Sequence, residues 1–472
     1  MTLTIAMSRT THSRLTPRAR ATVAALVTAA ALGLGARPLA AQDTTATQPT
    51  TPMSIGDAAR LGARNAATAE AARLRVAEAR ARVTQRRADL IPSLNGTGTE
   101  IRRTMNTASF GIAFPSPPGE PPIFDPNGQV VPPFNNIDFR GHLVAPLFDF
   151  GALARVRAAN ADVTATTAAA TVASEQAGTQ AALAYVQVLR AEDQYRARAA
   201  DSALAADLVT IAQAQLQAGT GVALDVTRAQ SQLAATRADL IVSRAARDRA
   251  RIQFERAINV PVGSTGTLTG SLAALDTTGI VTNETEGVRQ ALARRPDLVA
   301  AQARVAAAKS TVSAIRAERL PTLSLIGDDG VNGLNYSHLL NTYEYGFQIS
   351  LPIFDGFRRE GRIQEQQNVA REASVNERDL EQQAAADVRA ALLDLESARE
   401  QVGATNERLR LAEQEVEQAR ERFRAGVAGN ADVITALLTL TTARTAVIDA
   451  ETNFQNARIA LARAEGVVTT LP

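Results

Sequence analysis

Few residues of this sequence have side chains suited to catalysis or metal binding. Beyond the N-terminal segment the histidines are His142 and His338, and neither stands at a metal-ligand spacing from the other or from an acidic residue. Residues 327–330, Gly-Asp-Asp-Gly, are similar to a cation-binding loop. Aspartate and glycine are also ordinary turn residues, so an outer loop between two strands is the favoured interpretation. The sequence therefore supports no enzyme, metal or cofactor function.

The elements around these residues alternate strictly between apolar and polar side chains. Alternation over residues 343–352 predicts a strand with one apolar and one polar face, and residues 137–146 repeat it. A short amphipathic strand that leads into a very long helix, twice in one chain, predicts a membrane β-barrel continued by a helical tube. The residues expected on the apolar face of the later strand are Tyr343, Tyr345, Phe347, Ile349 and Leu351.

The first 41 residues have the features of a secretory signal. Several arginines precede an apolar run, residues 21–34, that is too short to span a bilayer, and a small-residue stretch ends at Ala41. We expect cleavage after Ala41 and a mature chain that begins at Gln42. Removal of the five arginines in this segment leaves 45 basic and 48 acidic residues, which removes the main support for a nucleic-acid partner.

The mature sequence limits how the protein could enter a membrane. It has no cysteine, so no lipid anchor follows the signal. No segment approaches the roughly 18 consecutive apolar residues of a spanning helix, so we expect no transmembrane helix. A mature chain of this kind would enter a bilayer only as a barrel.

The mature chain contains two copies of one unit. Pro92 corresponds to Pro321, an offset of 229, whereas Pro146 corresponds to Pro352, an offset of 206. The difference places an insertion in the first copy, at the proline-rich residues 115–133, which predict a loop that joins neither helix nor strand. The predicted organisation begins with a signal at 1–41. Repeat 1, at 54–258, contains a helix, strands at about 91–112 and 136–146 and a helical hairpin at 150–258. An equatorial connector at 259–287 leads to repeat 2 at 288–466, which contains a helix, strands at about 320–330 and 342–352 and a hairpin at 356–466.

The long helices carry a seven-residue repeat of one large and one small apolar residue. This spacing predicts helices that pack side by side as coiled coils. The first hairpin follows the pattern less strictly than the second, and the remaining charges on these helices are expected to be solvated. In the second hairpin the large residues are Val388, Leu395, Val402, Leu409, Val416 and Phe423, then Val433, Leu440, Val447, Phe454 and Leu461.

Together these features resemble the TolC-type outer-membrane efflux protein family. The resemblance covers about residues 54–466 and rests on the duplicated unit, two strand-to-helix junctions and two hairpin turns that each place a glycine six residues before an Asp-Val pair. The junction residues are Pro146, Phe148, Asp149, Pro352, Phe354 and Asp355, and the turn residues are Gly219, Gly221, Asp225, Gly426, Gly429 and Asp432.

The resemblance implies an α+β membrane protein and a homotrimer. Each chain would give four strands to a 12-stranded β-barrel continued by a long α-helical coiled-coil barrel. Physical reasoning agrees, because four strands cannot close a barrel and open strand edges cannot face lipid. The residues expected to face the lumen are Asp138, Arg140, Glu344 and Gln348.

In this family the hairpin turns form the periplasmic tip, where an adaptor protein bound to an inner-membrane transporter docks. The turn glycines would also end their helices, and the two aspartates would favour the following helix N-termini. Relatives carry an arginine two residues after the second tip glycine, where this chain has Ala428. Substitute aperture charges would be Glu417, Glu421, Arg422 and Arg424.

The function that the sequence indicates is that of the outer-membrane channel of a tripartite efflux or type I secretion system, which conducts substrates passively to the outside. A periplasm-spanning coiled-coil tether is an alternative, but it gives the amphipathic strands no role. A surface adhesin that uses the proline-rich loop is another. The exported substrate is not specified by the sequence, because pump and adaptor would choose it.

Overall fold

The computed structural model describes residues 52–106, 128 and 130–472. The expected signal at 1–41 and most of the proline-rich segment lie outside the described residues. The chain forms two compact units. One contains the strands and the helix ends next to them, and we call it the sheet unit. The other contains most of the helical residues and is called the helical unit.

The same order of elements occurs twice, as the sequence predicted. The first copy contains α1 Ile55–Asn65, α2 Ala67–Ala88, β1 Ser93–Asn106, β2 Val130–Asp149, α3 Phe150–Gln217 and α4 Ala223–Ala257. The second contains α5 Glu284–Arg294, α6 Pro296–Ala317, β3 Thr322–Gly333, β4 Leu340–Ser350, α7 Arg358–Arg424 and α8 Asn430–Glu465, followed by a short 3-10 helix, Val468–Thr470.

The single opening helix expected in each copy is broken in two. The backbone leaves the helical region at Ala66 (ψ 139°) and at Arg295 (ψ 122°). At the second break Pro296 starts the new helix, where a missing N–H does no harm. The connector is also shorter than predicted, because α5 begins at Glu284. The Asn283 side chain accepts a hydrogen bond from the Glu286 N–H and so fixes this start.

The sheet is antiparallel with strand order β1-β2-β3-β4, so β1 and β4 are its edges. β2 begins at Val130 and ends at Asp149, outside the predicted limits of 136 and 146. Pro132 and Pro133, expected in a loop, lie within this strand. They fit because the pairing with β1 shifts register there, between Arg103 and Met105, and a bulge tolerates residues without an N–H.

The seven-residue repeat of the second hairpin contributes to two buried clusters of the helical unit. Val388, Val402, Leu440, Phe454 and Leu461 are all buried, and alanines fill the alternate positions. The large residues of one helix therefore pack opposite the small residues of another, as the heptads predicted. The first hairpin is less covered: Leu216 on α3 is 41% exposed, and Ile241 and Val242 on α4 are 71% and 64% exposed.

The helix α8 departs from the expectation that no segment is apolar enough to cross a membrane. Among the described residues, this helix alone is long and apolar enough to cross a membrane, judged by length and composition. Many of its apolar side chains, including Val433, Val447 and Ile459, are buried against other helices of the helical unit. Packing accounts for part of this composition, since 39% of the most apolar stretch of the helix is buried.

Candidate functional site

One face of the sheet carries the four residues that were predicted to line a lumen. Residues directly opposite each other in an antiparallel pair point to the same face, and the register places Asp138, Arg140, Glu344 and Gln348 together. Arg140 donates to Asp138, with Nη2 3.0 Å from Oδ2, and also to the Thr342 hydroxyl at 3.4 Å. On the polar face, the charged pair of β2 therefore reaches across β3 to a hydroxyl on β4.

His142 belongs to the same polar face. Its Nδ1 contacts the Asp328 carboxylate on β3, and its Nε2 lies 2.9 Å from the Thr97 hydroxyl on β1. Asp328 also stands directly opposite Glu344 on β4. The prediction that residues 327–330 form a turn was wrong, because the cross-strand pairing of β3 outweighs their turn propensity. Nothing local in the sequence indicated the His142 contact, since its partner is 186 residues away.

On the opposite face of the sheet, β4 and β2 carry uncovered apolar side chains, and the same face includes the acidic Asp329, directly opposite Tyr343. On β4, Tyr343, Tyr345, Phe347 and Ile349 are each between 59% and 64% exposed, and Phe139 on β2 is 45% exposed. The rings of Tyr343 and Tyr345 lie 5.6 Å apart. A soluble monomer rarely leaves a continuous apolar surface of this kind open to water, so the surface indicates contact with lipid or another apolar partner.

The two strand-to-helix junctions match in sequence but differ in structure. In the first, β2 contains Pro146 and Phe148 and passes directly into α3, where the Asp149 carboxylate accepts a hydrogen bond from the Ala152 N–H at 2.8 Å. This is helix capping by a side chain. This first junction does not need a strained backbone conformation. The chain enters its helix at once.

In the second junction seven residues separate β4 from α7, including Pro352 and Phe354. Gly356 and Phe357 both adopt positive φ, 71° and 62°, which is unusual for phenylalanine. Asp355 accepts a hydrogen bond from the Arg359 N–H at 3.2 Å. The ring of Phe354 is 73% exposed and stacks edge-on against the Phe357 ring.

Both hairpin turns use a glycine to end the first helix. Gly219 and Gly426 have φ of 76° and 70°, and a side chain added at either would meet no atom within 4 Å. Gly429 likewise has open space around it, whereas Gly221 packs closely on Gln215. Asp225 and Asp432 lie in the first turns of α4 and α8, where negative charge is favourable, but neither side chain caps its helix.

Polar contacts that the sequence did not indicate hold the ends of the two hairpins together. Gln215 donates to the Phe423 carbonyl and Asn430 to the Asp225 carbonyl, both at 2.6 Å. Asn430 is fully buried. In the sequence, the one feature that could have indicated this contact is the position of Asn430 directly after Gly429, at the start of a helix.

Charges on the long helices are not all solvated, contrary to the expectation. Asp201 on α3 is 5% exposed, and Arg444 on α8 donates to it at 2.6 Å. Arg420 on α7 lies 3.6 Å from Asp207 on α3. Breaking a buried pair such as Asp201 and Arg444 leaves an uncompensated charge, so this pair fastens the two hairpins.

Of the four predicted aperture charges, two pair with each other on one helix. Arg424 donates to Glu421 at 2.7 Å, and both side chains are well exposed. Glu417 and Arg422 are exposed as well. Within the part of the chain that the structure describes, these four side chains do not form one cluster with a residue of the first hairpin.

Comparison with known proteins shows which protein family has this combination of sheet and hairpins. The sequence profile described as "Outer membrane efflux protein" matches residues 63–260 and 287–467, which takes in both copies of the unit. The chain belongs to the outer membrane efflux protein family. The predicted resemblance is thereby confirmed.

Two curated members of this family are similar to the chain over part of its length. It is 26% identical over 251 residues to the pyoverdine export outer membrane protein OpmQ of Pseudomonas putida, 51% of each chain. It is 25% identical over 295 residues to the outer membrane efflux protein BepC of Brucella suis, 61% of this chain and 63% of BepC. The chain thus spans about half the length of the first relative and under two thirds of the second.

Solved structures share the fold over most of the chain. The CmeC outer membrane channel of Campylobacter jejuni has a TM-score of 0.71 at 18% identity, covering 87% of this chain and 85% of CmeC. The outer membrane protein VceC of Vibrio cholerae has a TM-score of 0.68 at 19% identity, covering 87% and 96%. These likenesses confirm the predicted fold of the chain, in which two copies of a unit combine strands with long helical hairpins.

Proposed function

We propose that this protein is the outer-membrane channel of a tripartite efflux or type I secretion system. It would conduct substrates passively from a periplasmic adaptor and an inner-membrane transporter to the outside. One observation carries the proposal: the sheet has an uncovered apolar face, built around Tyr343, Tyr345 and Phe347, opposite a charged face built around Asp138 and Arg140. A strand wall between lipid and a water-filled pore needs both faces.

The free edges of the sheet support a homotrimer. β1 and β4 each have an unpaired side within the described chain, and such edges cannot remain open in lipid. Three copies would join β4 of one chain to β1 of the next and close a barrel of 12 strands. The exposed Ile241 and Val242 on α4 give the helical unit an apolar surface that a second copy would cover.

The channel proposal is tested on the purified protein in detergent and in planar bilayers. We expect a trimer that migrates as one species on electrophoresis without heating and as a monomer after boiling, and stepwise conductance after reconstitution. A monodisperse monomer without conductance would contradict the proposal and favour the tether.

Processing gives a separate prediction. We expect the mature chain to begin at or near Gln42 and to fractionate with the outer membrane, because the basic and apolar N-terminal segment is followed by a cysteine-free chain. N-terminal sequencing of the membrane fraction measures this. A product that keeps residues 1–41, or one found in the periplasm, would refute it.

The hairpin turns are proposed as the adaptor-docking tip. At Gly219, Gly426 and Gly429 a side chain added to the backbone would meet no atom within 4 Å beyond the adjoining residues, so the backbone is open to a partner. A close backbone approach by a partner is a use of glycine that few other residues allow. Asp225 and Asp432 would add negative charge to this surface.

Enlarging one tip glycine tests this assignment. Gly426→Trp is expected to reduce adaptor crosslinking and drug resistance several-fold, because its ring would occupy the space that the partner needs. Gly426→Asn is the matched control, since asparagine tolerates a φ of 70° with little added bulk. Both variants should still form trimers that conduct in a bilayer. Normal export by Gly426→Trp would show that the adaptor binds elsewhere, and failure to assemble would show that the glycine is only a helix cap.

A further inference from the structure

A cavity of about 690 Å³ lies in the helical unit, beside the break between α1 and α2. Alanines from three helices form much of its wall, and Ala66 and Ala177 pack in a small buried cluster with Ala69. Because these side chains are so short, the helices meet without filling the space between them. The volume falls within the range of small-molecule sites, roughly 300–1,000 Å³.

Two arginines that form no ion pair among the described residues line this cavity. Arg256 lies near the end of α4 and Arg463 in the last turn of α8. No carboxylate lines this cavity, and neither guanidinium forms an ion pair within the described residues; both arginines are exposed, and Arg463 also lines a neighbouring cavity together with Glu175 and Asp297. Arginines nearby behave differently: Arg251 donates to the Thr265 and Gly266 carbonyls, and Arg295 pairs with two aspartates. The two cavity arginines are thus left available to a ligand.

Side-chain amides complete the polar lining. Gln176 and Gln180 come from α3 and Gln253 from α4, so the amides surround the cavity from two helices. Each amide offers two N–H donors and one acceptor, and a guanidinium offers a planar fork of donors that fits carboxylate or phosphate oxygens. Thr68, in the first turn of α2, adds a hydroxyl.

We propose that this cavity binds a small organic anion that carries carboxylate or phosphate groups. Two arginines on one concave surface, neither in an ion pair within the described residues, favour an anion with at least two negative charges, and the alanine wall leaves room for a short carbon skeleton. The inference does not depend on the export function. An acidic side chain from a second copy of the protein would supply the same chemistry, so the experiment must separate these two sources.

The first measurement is the affinity for citrate, titrated calorimetrically into the purified wild-type protein. Arg256→Gln and Arg463→Gln should each raise the Kd by about tenfold, the usual effect of losing one charge-assisted contact. The control is Arg244→Gln, an exposed arginine on α4 that does not line the cavity, which should leave the Kd unchanged. Absence of citrate binding at millimolar concentration, or equal weakening in the control, would overturn the proposal.

The second measurement asks whether the cavity is open in the assembled protein. The chain has no cysteine, so Gln253→Cys introduces one thiol at the cavity wall. Maleimide should label it rapidly, and citrate should slow the labelling. Blocked labelling without citrate would show that a second copy covers the cavity, which would overturn the proposal. Unfolding temperatures of all variants establish that they are folded.

Discussion

Phe347→Arg is expected to reduce the stability of the assembled sheet by about 2–4 kcal/mol if the position lies near the middle of the bilayer. Phe347 is 62% exposed on the apolar face of β4, opposite Leu325 on β3. In a membrane this position would place the guanidinium in hydrocarbon, where it finds no hydrogen-bond partner. The measurement is urea unfolding of the folded protein in lipid vesicles.

The adjacent residue provides a matched control. Gln348 lies on the polar face, opposite Ser324, so Gln348→Arg should leave stability almost unchanged and should alter single-channel conductance instead. The two variants differ by one position on the same strand and carry the same new charge. If both destabilise the protein equally, the assignment of the faces is wrong.

Glu465→Gln is expected to stabilise the protein by about 3 kcal/mol above pH 7 and to remove a pH dependence. Glu465, the last residue of α8, is fully buried, and the N–H of Val281 in the connector donates to its carboxylate at 3.0 Å. Burial raises the pKa of Glu465 from 4.5 to about 7, and the Val281 hydrogen bond offsets only part of this effect.

The sign follows from proton linkage. The folded state holds the proton of Glu465 more tightly than the unfolded state, so its contribution to stability is greatest below pH 4.5. That contribution is lost as the pH rises to about 7, and above this pH the effect of Glu465 on stability no longer changes. Thermal unfolding of the wild type and Glu465→Gln between pH 4 and pH 8 measures this. Parallel curves for the two proteins would contradict the prediction.

Glu255 is the control of opposite sign. It is buried near the end of α4, and burial alone would raise its pKa. Hydrogen bonds from the Thr265 hydroxyl at 2.6 Å and from the Gly263 N–H at 2.9 Å outweigh burial and lower the pKa of Glu255. Glu255→Gln should therefore destabilise the protein at neutral pH, and the difference from wild type should shrink as the pH falls below 4.5.

The sequence by itself determined the elements whose signal is periodic and local. Alternation at residues 343–350 settled which side chains of β4 share a face, because a strand has a period of two. The heptads settled which residues of α7 and α8 are buried, from Val388 to Leu461. Gly219 and Gly426 marked the hairpin turns, since a left-handed residue is needed where each helix ends.

Only the tertiary structure decided the features that depend on residues far apart in the chain. The contact of His142 with Asp328 follows from the pairing of β2 with β3, which belong to different copies. Pro132 and Pro133 can lie within β2 because the strand forms a bulge against β1 there. The buried Asp201, the opposite pKa shifts of Glu255 and Glu465, and the cavity with Arg256 and Arg463 follow from helix packing. Burial and hydrogen-bond partners set these properties, and neither is encoded in the spacing of neighbouring residues.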